Sequence, residues 1–245
     1  MKLSVVIPAY NEEGCIKDTL QTLYTVLRDA DIDHEILVIN DNSKDNTLPV
    51  LTDLSTTIPS LRFLTNNGPN GFGYAVRCGL ACYDGDCVAV FMADMSDSPD
   101  DLVAFYRLME KDDCDAVFGT RWSNGGKVYD YPKHKLWLNR VANMIIRVLF
   151  RIKYNDTTNA FKLHKRKTID GLQPFLSPHF NLTVELPLKV IIRGYSYSIL
   201  PNSWTNRKTG ESKLKIREMG TRYFFILMYC LIEKYFSRGD FKKKW

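Results

Sequence analysis

Val88-Ala89-Val90-Phe91-Met92 is an apolar, strand-like run that opens directly onto four acids, Asp94, Asp97, Asp100 and Asp101. Carboxylates released at the end of a buried strand suit a hard divalent cation. Such an ion takes one or two of them and keeps positions open for the phosphate oxygens of a bound nucleotide. Ser98-Pro99-Asp100-Asp101 has a second explanation as a helix start, with proline in the first turn and acids at the positive end of the dipole. Asp94 has none, because an acid directly after five apolar residues costs stability unless it is paired or ligated. It is the candidate ligand, with Ser96 and Asp97 as candidates to complete the site.

The elements that position these acids are legible from periodicity. Strands are expected at Leu3–Ala9, 35–40, Leu61–Thr65, 88–92 and 116–119. Helices are expected over 11–28, 46–54, 73–83 and 99–111, the first with apolar residues at Ile16, Leu20, Leu23 and Leu27. Alternation of this kind predicts a mostly parallel sheet with crossover helices. Ligands bind such sheets beyond the carboxyl ends of the strands. Three polar clusters fall there: Pro8–Glu12 after the first strand, Asn40–Asp45 after the second and Asp94–Asp97 after the fourth.

The second half changes character. Residues 134–154 read as an amphipathic helix with a basic face of Lys135, Arg140, Arg147, Arg151 and Lys153. Helix and strand patterns return over 180–192 and 195–200, and 202–215 is a polar, basic loop. A last helix over Ile216–Phe236 holds the apolar run 223–232, shorter than the roughly 20 residues that span a bilayer. Lys and Arg number 33 against 28 Asp and Glu, a net charge of +5 that does not call for nucleic acid. The six cysteines form no CxxC pair and read as reduced thiols. The opening apolar run is too short for export, so the two Asn-x-Thr matches at Asn155 and Asn181 read as coincidental.

Ser4-Val5-Val6-Ile7-Pro8-Ala9-Tyr10-Asn11-Glu12-Glu13 and Asn40-Asp41-Asn42-Ser43-Lys44-Asp45-Asn46-Thr47 resemble the two nucleotide-binding signatures of family 2 glycosyltransferases. Met92-Ala93-Asp94 stands where that family carries its metal-binding acidic motif. Gly119-Thr120-Arg121, the loop from Asn206 through Ser212-Lys213-Leu214 and the closing amphipathic helices are similar to the family's polyprenyl-phosphate branch. The resemblance implies a GT-A fold and inverting transfer of a hexose from a nucleotide-sugar donor, of the GDP-mannose or UDP-glucose type, to a polyprenyl or dolichyl phosphate. It implies Mg2+ or Mn2+ at Asp94 with Ser96 or Asp97. It places the nucleotide against Pro8, Tyr10, Glu12, Asn40, Asp41, Gly71, Ala93 and Asp94. Arg207 and Lys213 would close over the phosphates, with Asp94 and Arg121 beside them. Arg121, Arg140 and Ser212 would hold the acceptor phosphate. Met92 replaces the motif's first acid, Asn40 replaces an aspartate, and Lys162 replaces the arginine of the Asp-x-x-x-x-Phe-Arg motif that begins at Asp156.

A phosphate acceptor is already anionic, needing positioning more than deprotonation. None of His34, His134, His164 and His179 has an obvious catalytic partner in the sequence. Glu185, in an apolar run, is expected to be partnered, with a place near the donor sugar as its other reading. Two other functions stay open here: transfer to a glycan hydroxyl with a carboxylate base such as Asp97, or a non-catalytic nucleotide-sugar-binding subunit, for which Met92 is the support. The expected organisation is a catalytic domain over 1–215 and a membrane- or partner-facing helix with a basic tail over 216–245. The expected setting is peripheral, at the cytosolic face of a membrane, against lipid or a small membrane-protein subunit.

Overall fold

A computed structural model describes residues 1–206 and 216–243, with side chains to 206 and again from 220. The elements run β1 (Leu3–Ala9), α1 (Ile16–Asp29), β2 (His34–Asn40), α2 (Thr47–Ser55), β3 (Leu61–Thr65), α3 (Phe72–Cys82), β4 (Cys87–Val90), α4 (Pro99–Asp112) and β5 (Ala116–Thr120). They continue with β6 (Lys127–Tyr129), α5 (Lys133–Phe150), β7 (Lys162–Lys165), α6 (Arg166–Gly171), α7 (Leu182–Ile192), β8 (Tyr197–Pro201), β9 (Ser203–Thr205) and α8 (Ile216–Phe236). Seven strands form one sheet in the order β3-β2-β1-β4-β7-β5-β8, and β6 pairs with β9 apart from it. All pairings in the large sheet are parallel except those of β7, which runs antiparallel to both β4 and β5.

Near-continuous apolar strands are what a sheet covered on both faces requires. Along β1, Leu3, Val5 and Ile7 join one core with Leu20 and Leu23 of α1 and Leu102 and Phe105 of α4. Val6 faces the opposite core, with Val76 and Leu80 of α3 and Leu186 and Val190 of α7. The alternation follows from the two-residue strand period. A third cluster joins α5, α7 and α8 through Ile146, Phe150, Val184, Leu188, Ile226 and Cys230. α8 is also tied down by Arg193, whose guanidinium makes two bonds to Glu233 at 2.7 and 2.9 Å.

The outer sides of α5 and α8 are apolar and exposed: Trp137, Leu138, Met144, Ile145, Val148 and Leu149 on one, Phe224, Phe225, Met228, Ile232, Tyr235 and Phe236 on the other. Among the described residues no helix is long and apolar enough to cross a membrane.

The expected GT-A-type α/β sheet is present, with several corrections. The helix expected over 134–154 ends at Phe150, where Arg151 turns left-handed, so Arg151 and Lys153 lie beyond its basic face, and the loop expected from 202 opens with β9. The first helix begins at Ile16 rather than residue 11, because Asn11 takes φ 53° and residues 12–15 form a turn on the Glu12 carbonyl. The fourth strand ends at Val90, two residues early, although the Phe91 N–H still bonds the Val6 carbonyl. The antiparallel β7 was not expected. The six cysteines, all among the described residues, form no disulfide.

Candidate active site

β2, β1 and β4 are neighbours, so the three polar clusters at their carboxyl ends lie side by side. The first two are laced together. The Asn11 side chain accepts from Lys44 N–H at 2.8 Å, and Asn11 N–H donates to Ser43 Oγ at 3.0 Å. Glu12 N–H donates to Thr47 Oγ1, and the Asp45 carboxylate accepts from Glu13 N–H. Burial works against the Asp45 charge, but bonds from Thr47 and backbone N–H groups hold its pKa below the ordinary value. Pro8 and Tyr10 are half-buried at this edge, Glu12 is buried, and Asn40 Oδ1 accepts from Ser43 N–H.

Asp41 organises the glycine turn after β3. One carboxylate oxygen accepts from Asn66 Nδ2 at 2.7 Å and the other from Gly71 N–H at 2.7 Å. Gly71 has φ +153°, in the region that favours glycine. A Cβ on Gly73 would stand 2.5 Å from the Pro178 carbonyl carbon, so this turn seats the 177–180 segment by close backbone approach. Phe72 stacks on Phe180 at 4.3 Å.

Ala93, Asp94, Ser96 and Asp97 form the third cluster. The Ala93 carbonyl accepts from Thr19 Oγ1 of α1 at 2.7 Å. Asp94 Oδ1 accepts from Ser96 N–H at 3.1 Å, across Met95 at φ 55°. Asp97 is buried, and its Oδ2 has no hydrogen-bond partner among the described residues. Burial first, then the nearby Asp94 charge, raise its pKa to about 7. Among the described residues no three His, Cys, Asp or Glu side chains converge into a closed metal site. An orphaned buried carboxylate oxygen beside a second carboxylate nevertheless fits a divalent cation that completes its shell with phosphate and water.

The fourth part of the site follows β5. Asp156 clamps Arg121 with three bonds: Arg121 N–H and Nε to Oδ2, both at 2.9 Å, and Nη2 to Oδ1 at 2.7 Å. Burial alone lowers an arginine pKa; the Asp156 charge overrides it and raises that of Arg121. The Arg121 and Arg140 guanidinium carbons lie 5.1 and 5.8 Å from the Trp122 ring centre, so the two candidate phosphate-binding arginines share one aromatic platform. Arg140 comes from α5 and is exposed. Lys162 is buried, its Nζ donating to the carbonyls of Thr157, Asn159 and Thr183. Burial lowers its pKa to about 7 against the raising effect of Asp156.

Glu185 is partnered as expected: it accepts from Leu176 and Ser177 N–H groups and pairs with Lys189 at 2.6 Å. His34 bonds the Ile32 carbonyl and Ser60, and His164 is buried. Arg207, Ser212 and Lys213 lie outside the described residues. Sequence reasoning missed Trp122, which follows the arginine directly, and Asn143. The signal for Asn143 was available: a polar residue three and seven positions before Ile146 and Phe150, on the buried stripe of α5.

Comparison with known proteins gives a consistent picture. The family model described as Glycosyl transferase family 2 matches residues 4–172. A dolichol-phosphate mannosyltransferase of Pyrococcus furiosus is 28% identical over 221 residues, covering 88% of this chain and 60% of its own length. A polyprenol monophosphomannose synthase of Mycolicibacterium smegmatis is 28% identical over 218 residues, covering 86% of this chain and 80% of its own. Glucosyl-3-phosphoglycerate synthase of Mycobacterium tuberculosis in complex with UDP shares the fold, with a TM-score of 0.69 at 18% identity over 94% of this chain and 80% of that one. Its complex with Mn2+ and UDP-glucose gives a TM-score of 0.69 at 17% identity over 95% and 78%.

Proposed function

The chain belongs to glycosyl transferase family 2, and on that premise we propose that it transfers a hexose from a nucleotide sugar to a polyprenyl phosphate at a membrane surface. One observation carries the acceptor assignment. α5 brings Arg140 to the Trp122 platform beside Arg121 and, on the same helix, turns six large apolar residues outward. Arg140 and Arg147, seven residues apart, border that apolar face. An anion site edged by such a face suits an acceptor that is a phosphate at one end and a lipid at the other. Basic residues beside an apolar helix face add about 1 kcal/mol each near an anionic surface. The names of both relatives quoted above agree with a polyprenol acceptor and make GDP-mannose the first donor to try, with UDP-glucose second.

In this reading residues 1–215 are the catalytic domain and 216–245 face lipid or a membrane partner. The nucleotide lies across Pro8–Glu12, Asn40, Asp41 and Gly71. Asp94 and Asp97, with Ser96 beside them, would hold Mg2+ or Mn2+, which when bound neutralises charge on the donor diphosphate. Arg121 and Arg140 orient the acceptor phosphate by charge-assisted, fork-shaped hydrogen bonding. Its oxygen attacks the anomeric carbon, the bond to the nucleoside diphosphate breaks, and the configuration inverts. The nucleophile is already ionised, so no protein base is required. Arg207 and Lys213 supply positive charge to the leaving diphosphate, and Ser212 a further bond to the acceptor.

A second reading has its own support. Asp97, with a pKa near 7, has the proton affinity of a general base for a hydroxyl acceptor. Transfer from labelled GDP-mannose and UDP-glucose into organic-extractable polyprenyl phosphate, with Mn2+ or EDTA, separates the two. Metal-dependent label in the lipid phase is the expected result. Label confined to water-soluble glycan would establish the hydroxyl acceptor, and no incorporation from any nucleotide sugar would refute both.

A further inference from the structure

We infer that Asn143 of α5 is a positioning residue for the acceptor anion, fixing Arg121 and Arg140 relative to one another through the loop 155–159. The inference rests on the acceptor reading above. Asn143 is 3% exposed and shares its helix face with Ile146 and Phe150. A buried amide in such a place costs stability unless its hydrogen-bonding capacity is met, and here it is. Asn143 Oδ1 accepts from Thr157 Oγ1 at 2.7 Å and from Thr158 N–H at 3.2 Å. Its Nδ2 donates to Thr158 Oγ1 at 2.9 Å and to the carbonyl and side-chain oxygens of Asn139 at 3.0 Å. Asn139 adds a bond of its own to Thr158 Oγ1.

The loop these bonds grip is the one that holds Arg121. Asp156, directly before Thr157, makes the three-bond clamp. Asn155 accepts from Thr120 Oγ1, and Asn159 donates to the Gly119 carbonyl and to Asn202. Lys162 ties the Thr157 and Asn159 carbonyls to that of Thr183 at the start of α7. The loop is thus fixed to β5 and α7, and Asn143, with Asn139 beside it, links it to α5; only Asn143 reaches both Thr157 and Thr158. Arg140 stands three residues, about one turn, before Asn143 on that helix. The Asn143 amide, bonded to both Thr157 and Thr158, is therefore the main polar tie between the helix that carries one arginine and the loop that clamps the other. A leucine in its place would keep an apolar surface toward Ile146 and Phe150 but make none of the bonds to Thr157 and Thr158.

The test uses the full chain and calorimetric titration with farnesyl phosphate, a soluble prenyl phosphate, and separately with GDP and UDP in the presence of Mn2+. N143L and T157V are expected to weaken farnesyl phosphate binding about tenfold, the loss of roughly one well-made hydrogen bond. Nucleotide affinity should stay within about twofold, because the clusters after β1 and β2 are not touched. T157S, which keeps the hydroxyl, should restore the prenyl phosphate affinity. In the transfer assay the same variants should raise the acceptor KM more than they lower kcat. Unchanged farnesyl phosphate affinity in both N143L and T157V would overturn the inference, as would parallel loss of nucleotide and prenyl phosphate binding with a lowered Tm. Wild-type protein that binds nucleotide but no farnesyl phosphate would instead overturn the acceptor reading, and the inference with it.

Discussion

Replacing Asp156 by asparagine tests the Arg121 clamp with almost no change of volume. In the native pair Oδ2 accepts from Arg121 N–H and Nε while Oδ1 accepts from Nη2 at 2.7 Å. An asparagine keeps one oxygen, which can serve the first two donors. Its NH2 group then faces the Nη2 donor, so the shortest bond is lost. The guanidinium also stays buried, with its side chain 6% exposed, and loses its directly bonded counter-charge. Removing one partner of a buried ion pair costs about 3–5 kcal/mol. At about 2–4 °C per kcal/mol for a chain of this length, the Tm of Asp156→Asn should fall by about 6–20 °C. The double variant Arg121→Met, Asp156→Leu should recover part of that stability, since an apolar pair often replaces a buried ion pair without loss, while the residue-121 N–H stays unpaired at a cost of about 1–3 kcal/mol. It should not recover sugar transfer. Thermal unfolding read by circular dichroism, with the transfer assay alongside, measures both. A Tm shift of Asp156→Asn under about 2 °C would refute the energetic reasoning, and wild-type transfer by the double variant would refute the role given to Arg121.

Mn2+ with a nucleoside diphosphate should raise the Tm of the wild type, and Asp94→Ala or Asp97→Asn should remove most of that rise; an equal rise in Asp97→Asn would exclude its orphaned oxygen from the site. Burial, helped by the Lys162 charge, lowers the His164 pKa to about 3, against about 6.5 in an unfolded chain. Between those values the unfolded chain takes up a proton that the folded one refuses, so stability is full above about pH 6.5 and falls as pH drops toward 3. His164→Phe should flatten that slope by up to about 1.4 kcal/mol per pH unit, and an unaltered slope in denaturant titrations would contradict the assignment. Val148→Glu with Phe225→Glu should reduce sedimentation with anionic vesicles while GDP binding persists, and undiminished sedimentation would count against the α5–α8 face as the lipid contact.

The first half of the fold was readable because β1, β2, β4 and β5 are buried on both faces and so appear as plain apolar runs. β7 was not, because Lys162-Leu163-His164-Lys165 is polar in composition and buried by partnership. Lys162 is taken up by three carbonyls and Lys165 by Asp113. The polar clusters at the ends of β1, β2 and β4 were legible from strand period alone, since neighbouring parallel strands bring their ends together. The Arg121–Asp156 clamp was not fixed by any local pattern. The two residues are 35 positions apart, on elements joined only by the closing of the sheet. In the sequence Asp156 stands only as the first residue of the Asp-x-x-x-x-Phe-Arg motif, and the structure sets it against Arg121.

The place of β7 has a consequence for how the chain is made. It fills the middle of the sheet between β4 and β5, yet it is synthesised about 70 residues after β4 ends. At about 5–20 residues per second, a nascent chain carries an open β4 edge for several seconds, with β5 already made and unable to join it. Such an edge is a template for pairing with other strands. Emergence of residues 162–165 is therefore the event that joins β5 to β4, before β8 adds the last strand. A fragment ending near residue 120 should need the remainder of the chain, supplied separately, to become soluble and ordered, which makes the 121–165 stretch a natural junction for a split, reassembling version of this enzyme.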